Sequence, residues 1–127
     1  LIAGGSLADI LKLTKYGAVQ QSGMTGYKSL TDGAAVTPDF ATAQNFTLTM
    51  AGNRAIANPS NPLAGQTGTI LLIQDATGSR VPSFGTSWKP VGGAAFTLST
   101  AANAIDRLSY EVVTSTYVLY HVEVDRR

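Results

Sequence analysis

His121 is the one histidine of the chain, and there is no cysteine. A Ser-His-Asp triad would have to be assembled around that single imidazole, and no Gly-x-Ser-x-Gly elbow presents a nucleophile to it. Thiolate metal sites are excluded. The calcium loop Asp-x-Asp-x-Asp-Gly and the phosphate cradle Gly-x-x-x-x-Gly-Lys-Ser/Thr are both absent. The carboxylates are Asp9, Asp32, Asp39, Asp75, Asp106, Glu111, Glu123 and Asp125. None forms a tight pair in the sequence, whereas a glycosidase needs two across one sugar site. Asp75 stands in Asp75-Ala76-Thr77-Gly78, where a turn favours Asp, and Asp106 stands where a strand begins. Both are expected to be structural. His121 falls on the more polar face of a strand, which again favours a structural or solvent-facing role. No catalytic, cofactor-binding or metal-binding residue is assigned, no cofactor is expected, and the chain reads as a non-enzyme.

Recognition is harder to dismiss. Trp88 and the tyrosines Tyr16, Tyr27, Tyr110, Tyr117 and Tyr120 could stack on sugars or anchor an interface. Trp88, Tyr117 and Tyr120 are the candidates for a ligand or interface site. A lone Trp in a small β domain is more often a core or interface anchor.

The elements that must position these residues are mostly strands. Asn45 to Met50 alternates Phe46, Leu48 and Met50 with polar residues, the period of a half-buried strand. Arg54 to Ala57 is a shorter strand, ended by the double turn Asn58-Pro59-Ser60-Asn61-Pro62. Thr69 to Gln74 is continuously apolar at its centre, so it is expected in mid-sheet, buried on both faces. Arg80-Val81 with Phe84, and Phe96 to Leu98, read as short strands. Arg107 to Val113 places Leu108, Tyr110 and Val112 on one face, and Thr114-Ser115 makes a turn. Tyr117 to Val124 is expected to be the longest strand, with Val118, Tyr120, Val122 and Val124 facing the core. Strands at this spacing, joined by Gly, Pro and Asn, predict an all-β fold, an antiparallel β-sandwich of jelly-roll-like form.

The front of the chain differs. Ser6-Leu7-Ala8-Asp9 fits a capping box, Leu7, Ile10 and Leu11 follow at helical spacing, and Gly17 is a stop. A short N-terminal helix is expected there, too short to stand alone in water. Its apolar residues Leu7, Ile10 and Leu11 are candidates for attachment to a neighbour. Residues 1–29 thus read as helix and linker or attachment segment, and 30–127 as the β-sandwich domain.

At 127 residues the chain suits one domain, and 44% apolar residues can fill a core. Charged residues make up only 13%, about half the usual share, which suggests that another copy covers part of the surface. The net charge is +1 and the basic residues form no stripe, so nucleic-acid binding lacks its electrostatic footprint. No run of 18 apolar residues exists, so no membrane insertion is expected.

Several segments, taken together, have a recognisable order. They are Asp32-Gly33-Ala34 through Thr37-Pro38-Asp39-Phe40, Ala43 to Thr49, Gly52-Asn53-Arg54 and Asn58 to Pro62. Gly65-Gln66-Thr67-Gly68-Thr69-Ile70, Gln74 to Arg80, Ser87 to Gly93 and Leu98 to Asp106 follow. In order and spacing they resemble a β-rich domain that recurs in virion proteins of tailed bacteriophages, tail fibres included. The resemblance covers residues 30 to 125. Ala55 stands where Thr often follows Asn-Arg, and Val91 stands where an aromatic or Pro is common. The resemblance implies a virion-exterior β domain, commonly a homotrimer, with no catalytic residues to carry over. The expected function is therefore a non-enzymatic structural component of a phage virion, an oligomeric fibre, spike or tail domain that could contact the host surface. The alternatives are a capsid decoration or head-fibre protein, and a carbohydrate- or receptor-binding module. The expected partners are other copies of the chain, other virion proteins of capsid or tail, and a host-surface glycan.

Overall fold

A computed structural model describes residues 26–125 of the chain. The expected N-terminal helix, with Leu7, Ile10 and Leu11, lies outside the described residues. Within them the fold is all-β. The first six strands are β1 (Lys28–Ser29), β2 (Ala35–Val36), β3 (Asn45–Met50), β4 (Arg54–Ile56), β5 (Thr67–Gln74) and β6 (Pro82–Phe84). They alternate between two sheets. β1, β3 and β5 are neighbours in one, β2, β4 and β6 in the other, and every pair among them is parallel. The chain therefore winds as a coil, and each turn adds one strand to each sheet, as in a β-solenoid.

The corners explain why Gly, Pro, Asn and Asp recur between the strands. Corner side chains satisfy backbone groups of the next turn of the coil, where no ladder partner exists. Asn53 Oδ1 accepts from Val81 N at 2.9 Å, and Asn58 Oδ1 accepts from Ser87 N at 2.8 Å. Asp39 accepts from Asn61 Nδ2 at 2.8 Å, beside a parallel bridge between Asp39 and Ser60. Arg54 of the second turn reaches back to Asp32 of the first through two 2.7 Å bonds. Gly68 allows the closest approach. A Cβ there would lie 2.0 Å from Gln44 O and 2.5 Å from the Tyr110 hydroxyl.

The remaining strands complete the first sheet. They are β7 (Trp88–Pro90), β8 (Ile105–Thr114) and β9 (Tyr117–Glu123). β8 and β9 form an antiparallel hairpin, β8 runs antiparallel to β5, and β7 joins the far side of β9 in parallel. The six-stranded sheet has the order β1-β3-β5-β8-β9-β7, and the second has the order β2-β4-β6. Antiparallel pairing is confined to β5, β8 and β9, and the other strand pairs are parallel. The antiparallel pattern expected from alternation thus holds for the hairpin region only, because alternation marks which face of a strand is apolar, not which way the strand runs.

One apolar cluster joins the sheets. Phe46, Leu48, Met50, Ile70, Leu72, Leu108, Val112 and Val118 come from the larger sheet, Val36 and Ile56 from the smaller. Each fully buried side chain of this kind contributes about 1.5–3 kcal/mol relative to exposure. β5 is central, as expected, but only its inward face is sealed. Leu71 and Ile73 are half-buried, since no second layer lies over that outer face among the described residues. β8, not β9, is the longest strand, and Val124 lies beyond the end of β9, 38% exposed. Phe96 to Leu98 forms no strand. It packs Phe96 and Leu98 against the core without a ladder partner.

Candidate functional site

β7 delivers Trp88 to the middle of the molecule. Val118 N donates to Ser87 O at 2.8 Å, and Trp88 N donates to Gly85 O at 3.1 Å. Gly85 keeps that turn close to the previous coil, for a Cβ there would sit 2.3 Å from Asn58 Oδ1. The indole Nε1 donates to Ala57 O at 2.9 Å, so the ring is buried with its polar atom satisfied. Phe40, Phe84, Tyr110 and Tyr120 meet it edge-on at 5.9–6.3 Å between centroids. Phe40 in turn stacks on Tyr110 at 4.5 Å, and Phe84 stacks on Tyr120 at 4.7 Å. Burial pushes the Tyr110 hydroxyl up to about 12, with the Gln66 amide working weakly against it.

One side of this aromatic cluster borders a groove of about 580 Å³ between β6 and the segment at residues 95–98. Phe84 and Phe96, each half-buried, form its walls, and Trp88 and Tyr120 lie at its floor. Phe96 also meets the His121 ring edge-on at 5.1 Å.

Beyond Arg80 and Thr100 of the groove lining lies a network of polar groups. Gln74 is 2% exposed and spends its whole amide on backbone. Oε1 accepts from Arg80 N at 2.8 Å, and Nε2 donates to Arg80 O and Ser99 O, each at 2.9 Å. Asp106, equally buried, accepts from Ser99 N and Asp125 N, each at 2.7 Å. Arg80 pairs with Asp75 through Nε at 3.1 Å and Nη2 at 2.9 Å. That guanidinium, helped by Gly78 N and Thr77 N, holds the Asp75 carboxyl at about 2. Arg54 in the same way holds Asp32 below the usual carboxylate range. These acids are tied to turns and corners. Among the described residues no three His, Cys, Asp or Glu side chains converge on a metal-sized site.

The three residues singled out in the sequence do not form one site. Trp88 and Tyr120 share the buried cluster. Tyr117 points the other way, from the outer face of the large sheet, 42% exposed. Sequence reasoning missed Gln74 and the clamp made by Asp106. A signal existed: Gln74 continues the inward phase of Ile70 and Leu72, and Asp106 that of Leu108 and Tyr110. A polar group in that phase must find partners inside.

The fold and the site define a β-structural domain, with aromatic contacts to offer and acids committed to holding its corners. Residues 36–110 match the family described as "Putative phage tail fibre C-terminal domain". The chain belongs to that family, and is a structural component of the exterior of a phage particle, at the tail. No curated protein and no solved structure matches it.

Proposed function

We propose that the domain works as an oligomeric part of a tail fibre, a homotrimer joined through the outer face of the large sheet. The observation that carries this is the set of exposed apolar side chains on that face, in two groups separated by the Arg107–Glu123 pair, Glu111 and His121. Ile105, Val113 and Tyr117 are 42–47% exposed, and half-buried Leu71, Ile73 and Leu119 lie among them. A surface of this kind on a chain with 13% charged residues fits burial against other copies. Residues 1–29 join the domain to other virion proteins, and 30–127 form the projecting part. Light scattering tests the reading: the expected mass is three times the 13.2 kDa of one chain. Tyr117→Asp with Val113→Asp should yield folded monomers. A native chain that stays monomeric at micromolar concentration would overturn it.

The aromatic groove favours one further role, contact with a host-surface glycan. Phe84 and Phe96 offer ring faces of the type on which sugars stack, whereas buried Trp88 supports them from behind. Glycan-array binding that survives Phe96→Ala would rule this role out.

A further inference from the structure

Three polar groups of the aromatic groove have no partner among the described residues. The first is the hydroxyl of Tyr120. The residue is 4% exposed, with Phe84, Trp88 and Phe96 around its ring, and its hydroxyl makes no hydrogen bond. Tyr110, buried to the same degree, donates its own to Gln44 O at 2.6 Å. The other two belong to the backbone of Phe84. Between β4 and β6, Arg54 N donates to Val81 O at 3.3 Å and Gly85 N donates to Ile56 O at 2.9 Å. Positions 81, 83 and 85 therefore serve β4, and Phe84 turns its N–H and C=O the other way, where no strand follows among those described. A buried hydroxyl without a partner is rare in a native fold and marks a place where a bound molecule can supply one. The lining offers donors, acceptors and rings, but no free charge. Arg80 is its one charged residue, and Nε and Nη2 are both engaged by Asp75.

We infer that the groove takes an uncharged pyranose oligosaccharide, one ring lying against Phe96 and its hydroxyls meeting the Tyr120 hydroxyl and the Phe84 backbone. The inference rests on the glycan reading of this groove and names the class of sugar. A sugar hydroxyl both donates and accepts, so neighbouring hydroxyls match this mixed set. A uronic acid or a phosphorylated sugar would carry its charge among apolar walls with no free cation to meet it. An extended peptide fits less well. A strand laid beside β6 would need backbone groups from position 82 as well as 84, and Pro82 has no N–H to give. The groove, at about 580 Å³, has the size of a small-ligand site.

The test is an array of bacterial-surface oligosaccharides in which neutral members are matched by members bearing uronic acid or phosphate. Binding of the full chain is expected on the neutral members only, and Phe96→Ala should abolish it. Tyr120→Phe keeps the ring and removes a hydroxyl that holds nothing within the fold. Its melting temperature should equal that of the native chain, while its affinity falls about two- to tenfold, the loss of one hydrogen bond. Silence across the whole array, or binding that survives Phe96→Ala, would overturn the glycan reading and this inference with it. Binding that is lost in Phe96→Ala yet strongest on the acidic members would keep the glycan reading and overturn the inference. So would undiminished binding by Tyr120→Phe, or a lowered melting temperature in that variant. An acetylated and amidated Val-Thr heptapeptide that protects the Phe84 amide from hydrogen exchange would also overturn it, by showing that the edge of β6 takes a strand.

Discussion

Gln74 and Asp106 hold together a part of the molecule where no ladder runs. Segment 95–100 has no strand partner; it is held at Ser99 by the Gln74 amide and the Asp106 carboxylate, and at Thr100 O by Ser79 N. Gln74→Ala strands the Arg80 and Ser99 backbone groups in a buried site, and is expected to cost about 2–3 kcal/mol in urea unfolding. Asp75 shows its role through pH. Its folded-state value lies near 2 against an ordinary 3.8, so the unfolded chain takes up the proton first. Its contribution is therefore complete above 3.8 and is lost as pH falls toward 2. Urea unfolding between those two pH values should show a shallower fall in stability for Asp75→Asn than for the native chain. Equal slopes would show that the pair with Arg80 plays no part. Of these groups the sequence marked Asp75, at a turn, and Asp106, at a strand start, as structural, but it revealed neither the Ser99 clamp nor Gln74. Gln74 acts through Ser99, 25 positions away, and no local pattern announces such a bond.

Inward faces of the strands were legible because burial leaves a period of two. Phe46, Leu48 and Met50 of β3, and Leu108, Tyr110 and Val112 of β8, are buried as their alternation requires. Leu72→Asp in β5 or Val122→Asp in β9 would place an unpaired charge in that core at a cost of several kcal/mol, and neither variant should fold. A cooperative thermal transition in soluble Leu72→Asp protein would contradict the placement of β5. Strand direction was not legible. A period of two reads the same from either end, so β3 and β5 looked compatible with the antiparallel pairing that β8 and β9 adopt. Information about the coil lay in the corners instead, in Asn53 and Asn58, whose side chains serve the next turn. Phe96 to Leu98 has the composition of a strand yet no ladder, because Phe96 packs on Tyr120 and His121 at the edge of β9.

For the whole molecule, the strand order decides how a pull on the chain would be carried. With the attachment proposed for residues 1–29, load would reach this domain through the chain that precedes β1. β1 pairs with β3 over two residues only, Lys28 and Ser29, and has no second neighbour among the described strands. β9, the last strand, is gripped on both sides, by β8 over seven register pairs and by β7 over three. Tension from the front can therefore peel the coil one short strand at a time, while tension from the rear must shear two ladders together. With that attachment, the domain would pay out length at its mooring and hold fast at its other end.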